Sequence, residues 1–280
     1  MKKRFLLLAL AFLFATMFSA GYMNYHQLNI NDVALSVLSK IKKIQGNEVD
    51  LQAIKTADSP IVNHDIWTTL LQQHVSETGD VDYDAILADS DLFESYLQEL
   101  SNHPPGANWS KNEKIAYWIN AYNAFTVKLI LDFYPLKSIK DISSGLPMLN
   151  SPWDLKFFKI AGVAFDLNTI EHEILRKDFN EPRIHFAINC ASFSCPKLLN
   201  MAFTADSLET QLEAQTRAFL NNPDKNIITD KEIRVSKIFS WFQRDFGGQN
   251  GVLAFIQKYR PELNKENPVE YLDYNWGLNN

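Results

Sequence analysis

The strongest constraint on the fold is a mid-chain run that is apolar almost all the way round a helix: Ile115-Ala116-Tyr117-Trp118-Ile119-Asn120-Ala121-Tyr122-Asn123-Ala124-Phe125. A helix without a polar face belongs at the centre of a domain or inside a membrane. Asn120, Asn123, Lys128 and Asp132 interrupt this one, which argues against a membrane span. Both ends are marked. Ser110 and Glu113 have the spacing of a capping box, and Pro135 stops the helix after Tyr134. The sequence thus predicts a buried helix over 111–134 with a domain built around it.

Composition supplies the rest of that domain. The 280 residues are 46 % hydrophobic and 12 % aromatic, enough to fold and too much for a disordered or low-complexity chain. With 27 basic against 33 acidic residues the net charge is −6, so no nucleic-acid partner is expected. At the N-terminus, Met1-Lys2-Lys3-Arg4 precedes an uncharged apolar run from Phe5 to Phe18, followed by Ser19-Ala20-Gly21. Residues 1–21 read as a signal peptide or an N-terminal anchor, which makes the chain exported, with a membrane tether as the alternative to cleavage. Residues 22–60 read as a tether, with a short helix near Asp32. Residues 61–280 read as one domain.

Periodicity predicts helices over 66–75, 91–101, 168–177, 206–220, 237–246 and 251–259. It predicts hairpins over 157–167, turning at Ala161-Gly162, and over 226–235, turning at Asp230-Lys231. Strands are expected at 183–189 and 269–276. Helices lead and strands follow, so the expected class is α+β: a helical N-terminal half on a small mixed or antiparallel sheet.

Three segments place polar groups in apolar settings. Asn120 and Asn123 are one helical turn apart; buried amides must be hydrogen-bonded, so they clamp a neighbouring loop or orient a catalytic imidazole. In Ile170-Glu171-His172-Glu173-Ile174-Leu175-Arg176, Glu171 falls on the inward face. It either closes a capping box with Asn168 or is a buried carboxyl with a raised pKa. His172 points away from the apolar centre, beside Arg176.

The third segment is 183–196. It carries His185 and both cysteines of the chain, Cys190 and Cys195. Pro196 after Cys195 resembles a helix start, where a thiol becomes a better nucleophile. On an ideal strand His185 and Cys190 face opposite ways, so they meet only if the chain turns between them; otherwise His172 is the partner of the thiol. The alternatives are a disulfide closing a tight loop, ordinary buried thiols, a zinc site of His172, His185, Cys190 and Cys195, and a redox dithiol. The zinc spacing matches no standard finger, and the dithiol lacks the Cys-x-x-Cys spacing.

Read together, Trp118-Ile119-Asn120-Ala121-Tyr122-Asn123-Ala124, then 170–176, then Pro182-Arg183-Ile184-His185-Phe186-Ala187-Ile188-Asn189-Cys190, and last Tyr271-Leu272-Asp273-Tyr274-Asn275-Trp276-Gly277-Leu278-Asn279 resemble the domain of unknown function 547 family. That family occurs in exported bacterial proteins and, behind leucine-zipper segments, in plants. The resemblance implies a bacterial periplasmic location and selects Glu171, His172, His185 and Cys190 as site residues. It places Cys195 where many relatives have Ser, and Asn275 where the closing motif usually has Asp. A Cys-His pair with acid or amide support is analogous to papain-like thiol hydrolases.

Two functions follow. In one, Cys190 attacks an amide or thioester carbonyl. His185 or His172 moves the proton, Glu171 or Asn120 orients the ring, and Ser192, Ser194 or backbone N–H groups hold the oxyanion. The substrate would be a small molecule or peptide, and no cofactor or metal is implied. In the other, the chain is a non-catalytic envelope domain with a buried polar network and structural cysteines.

Overall fold

The computed structural model describes residues 54, 56, 58–144 and 151–280. The signal or anchor segment and nearly all of the expected tether lie outside the described residues. The helices are α1 (Asp65–His74), α2 (Tyr83–Ala88), α3 (Ser90–Asn102), α4 (Lys111–Phe133), α5 (Asp141–Ser144), α6 (Arg176–Asp178), α7 (Leu208–Asn221), α8 (Ile238–Trp241) and α9 (Gly248–Tyr259). The strands are β1 (Phe158–Ile160), β2 (Val163–Phe165), β3 (Ile227–Ile228), β4 (Ile233–Val235) and β5 (Val269–Tyr271).

The class is α+β, as expected. Helix α4 is the axis of the larger core. Its capping box is formed in both directions, with Glu113 N–H donating to Ser110 Oγ at 3.2 Å and Ser110 N–H to Glu113 Oε2 at 2.5 Å. Residues on every side of α4 from Ile115 to Val127 are buried, because α2 and α3 cover one flank and the β1–β2 hairpin and the segment after it cover another. Among the described residues, no helix is long and apolar enough to cross a membrane.

β1 and β2 pair antiparallel, Lys159 opposite Ala164. Their turn puts Ala161 and Gly162 at φ of 51° and 76°, the twist a two-residue hairpin needs. β4 lies between β3, antiparallel, and β5, parallel. This small sheet packs with α7 and α9 around a second apolar cluster that includes Phe186, Phe239 and Phe255.

Three local expectations are corrected. Residues 183–189 are not a strand: Pro182–Phe186 is a 3₁₀ turn. The reason is that its backbone is satisfied without a neighbouring strand. Ala187 and Ile188 N–H bond back to Ile184 O at 2.9 and 3.0 Å, and Asn123 takes the next groups. Residues after Cys195 are irregular, not helical, and Cys195 N–H closes a turn on Ser192 O at 3.0 Å. The expected strand over 269–276 pairs only through Tyr271. Beyond it the chain leaves the sheet and stitches distant parts together. Phe193 N–H donates to Gly277 O (2.7 Å), Leu278 N–H to Lys137 O (2.9 Å) and Val81 N–H to Asn279 O (2.8 Å).

Candidate active site

Glu171 and His172 ride on a π-helical turn, Thr169–Leu175, that passes into α6. Such wide turns are rare and cluster at functional sites. The Asn168–Glu171 capping box is not formed. Asp166 caps the turn instead, accepting from Thr169 N–H at 2.7 Å and Thr169 Oγ1 at 2.8 Å. That leaves the Glu171 side chain free to turn inward, where it is 6 % exposed.

There it meets a chain of polar groups. Trp153 Nε1 donates to Tyr122 Oη at 3.1 Å, and Tyr122 Oη donates to Glu171 Oε2 at 3.3 Å. The other oxygen, Oε1, lies 3.9 Å from His185 Nδ1, too long for a hydrogen bond. His185 Nε2 is 2.7 Å from Asp245 Oδ2. With Asp245 ionised, Nε2 carries the proton and Nδ1 is an acceptor. Asp245 also takes both forks of Arg176, at 2.5 Å from Nε and 2.8 Å from Nη2. Arg176 Nη1 reaches His172 Nδ1 at 2.7 Å. The His185 ring stacks on Phe242 with centroids 3.9 Å apart.

These surroundings set the charges. Burial lifts the Glu171 carboxyl to about 7, against the pull of the Arg176 charge and the Tyr122 hydrogen bond. Burial also lowers His185, more than the Asp245 contact raises it, and lowers His172, where Arg176 adds to the effect. Both imidazoles are held toward neutrality. Burial works against ionisation of Asp245, but Arg176 and His185 outweigh it and hold that carboxyl well below the usual range.

Cys190 and Cys195 are bonded to each other. A disulfide sulfur has no proton and no thiolate, so in this state Cys190 is not a nucleophile and neither cysteine is a zinc ligand. Among the described residues, no group of three or more His, Cys, Asp or Glu is arranged to hold a metal. Tyr274 Oη sits 3.2 Å from Cys190 Sγ and 3.4 Å from Cys195 Sγ, and Ser192 Oγ is 3.2 Å from Cys190 Sγ. Neither imidazole is hydrogen-bonded to sulfur: His185 is engaged by Asp245 and His172 by Arg176. Asn120 stands apart from this group. Its amide holds both backbone groups of Phe203, at 2.8 and 2.9 Å, which is the clamp role and not the orientation of an imidazole. Asn123 clamps Ala187 O and Asn189 N–H in the same way.

Of the predicted site residues, Glu171, His172, His185 and Cys190 all line one cavity of about 220 Å³. The 3₁₀ turn at Pro182–Phe186, in place of a strand, supplies the change of direction that His185 and Cys190 needed. Sequence reasoning missed Tyr122, Trp153, Trp241, Phe242, Asp245 and the pocket roles of Tyr274 and Trp276. Trp241, Tyr274 and Trp276 pack ring to ring across the mouth, with Trp241 still 47 % exposed. The one available signal was the density of aromatic residues in the closing motif.

The fold and this pocket define an α+β domain whose polar centre joins a late-titrating carboxyl, two imidazoles held toward neutrality by burial and a disulfide, beside aromatic lining residues. Residues 107–220 match the family model described as protein of unknown function, DUF547. No curated protein and no solved structure matches the chain. The matched segment contains Glu171, His172, His185 and both cysteines; Trp241, Asp245, Tyr274 and Trp276 lie beyond it.

Proposed function

We propose that this pocket is the active site of an exported hydrolase or transferase that moves an acyl group from an amide or thioester. The observation that carries the reading is the convergence of Glu171, His172, His185 and Cys190 in one cavity. A dithiol reductant first converts the disulfide to two thiols and is itself oxidised to a disulfide. Cys190 sulfur then attacks the carbonyl carbon as its thiol proton passes to the ionised Glu171 carboxylate. As the tetrahedral adduct collapses, the C–N or C–S bond breaks and the leaving group takes a proton from the pocket. Glu171, titrating near neutral pH, suits both proton donation and its reversal when water or an amine resolves the acyl-cysteine. An exported location fits a chain whose cysteines are joined.

The test is acylation with a small activated thioester, followed by mass spectrometry, before and after reduction. An adduct on Cys190 is expected only in the reduced protein. It should disappear in Cys190→Ala and form about 100-fold more slowly in Glu171→Gln. No adduct on the reduced protein would reject the reading. A second reading, a non-catalytic binding domain with a structural disulfide, is favoured by the engagement of both imidazoles away from sulfur; it is the one that survives such a result.

A further inference from the structure

We infer that the pocket receives the primary ammonium group of an organic amine, held between Glu171 Oε1 and His185 Nδ1 with its carbon body against the aromatic walls. The inference rests on reading this cavity as a substrate site, but not on the chemistry of Cys190.

The first ground is an unpartnered atom. His185 is 2 % exposed, and its Nδ1 has no hydrogen-bond partner among the described residues. Leaving a buried acceptor unpaired costs roughly 1–3 kcal/mol, so the site is built for a donor. Glu171 Oε1 lies 3.9 Å away and is also an acceptor when ionised. Two acceptors at that separation cannot bond each other, yet two N–H bonds of one –NH₃⁺ can reach both.

The second ground is charge. None of the residues lining the cavity is Lys or Arg. Arg176 is turned onto Asp245 and His172, and both imidazoles are held toward neutrality. Ionised Glu171 therefore gives the cavity an anionic end with no cation in direct contact, which suits a cation and repels a carboxylate or phosphate ligand.

The third ground is the walls. Trp153, Trp241, Phe242, Tyr274 and Trp276 line the cavity, and two of these rings already hold cations of the chain itself. Lys140 Nζ lies 3.8 Å from the Trp276 centroid, and Arg176 Cζ lies 5.0 Å from that of Phe242. A volume of about 220 Å³ admits a small amine. In an acyl transfer such an amine is either the leaving group of an amide or the acceptor of the acyl group.

The groups facing Glu171 are Tyr122, His185 and Tyr274, with Arg176 and Asp245 acting through space. Ammonium binding should therefore be strong above pH 7, where Glu171 is ionised, and weaken as the pH falls through that value. The test is a titration of the full-length oxidised protein with n-butylamine, 1-butanol and butyrate, followed by tryptophan fluorescence at pH 8 and pH 6. Butylammonium is expected to bind about tenfold more tightly than butanol at pH 8, the worth of one charge-assisted hydrogen bond. Butyrate should bind weakest. Glu171→Gln should remove the ammonium preference while keeping butanol binding, which shows an intact pocket. Equal binding of amine and alcohol, a preference that survives in Glu171→Gln, or no binding of any of the three would overturn the inference. A reduced protein that acylates Cys190 without preferring ammonium rejects this inference alone; ammonium preference without acylation rejects only the thiol chemistry.

Discussion

A carboxyl group buried among rings makes a definite energetic statement about this pocket. The folded-state value of Glu171, about 7, lies above the unfolded value of roughly 4. The native state therefore binds this proton more tightly, and stability is lost as pH rises through the window between the two values. Glu171→Gln should then stabilise the protein at pH 8, by up to about 3 kcal/mol, and have little effect at pH 4. Denaturant unfolding at the two pH values checks this; equal shifts at both would contradict it. Asp245 has the opposite sign. Its folded value is depressed, so its contribution is present above pH ~4 and is lost as the pH falls through the folded value. Asp245→Asn removes the charge and one of the two oxygens that accept from Arg176 and His185, and should cost about 2–3 kcal/mol at pH 7. The loss should shrink below pH 4, as read by the same unfolding curves.

At the scale of elements, α4 acts as a rack. Asn120 and Asn123 present amides from one stripe of the helix to two separate loops, at Phe203 and at Ala187 and Asn189. The second clamp replaces the strand partner that residues 183–189 lack, and so holds His185 and Cys190 on one cavity. Asn120→Ala strips both backbone groups of Phe203 of their buried partners and should lower stability by about 2–4 kcal/mol in thermal or denaturant melts. A change below 0.5 kcal/mol, the size of an ordinary surface substitution, would show that water replaces the clamp. The π-turn has a comparable role. By capping on Asp166, it releases Glu171 from the helix start to the pocket.

The whole molecule decides whether the site exists. Asp245, Trp241, Tyr274 and Trp276 come from the chain beyond residue 220, and the last nine residues bond to the loop at 192–194, to Lys137 and to Val81. A fragment of residues 107–220 keeps α4 and both cysteines but loses the partner of Arg176, the second apolar cluster and one wall of the cavity. It is expected to lack cooperative unfolding by circular dichroism, whereas a fragment of residues 58–280 should melt cooperatively. A sharp transition for the shorter piece would contradict this account of where the core closes.

What the sequence determined on its own is whatever local rules carry: a helix with no polar face, its box and proline stop, a two-residue hairpin, and the oddity of Glu171, His185 and Cys190 in apolar runs. These are interactions between residues a few positions apart, so spacing reveals them. The tertiary structure alone decided the roles. Asp245 looks like any acid on a short helical stretch until it meets Arg176 and His185, 69 and 60 positions away. Asn120 has the credentials of a catalytic amide until Phe203, 83 positions on, takes both its groups. Residues 183–189 have the composition of a strand, but a strand needs a neighbour to accept its backbone, and in this fold that neighbour is the side chain of a helix. Burial, and with it the late titration of Glu171, is set by which distant rings close over it, and no local pattern encodes that.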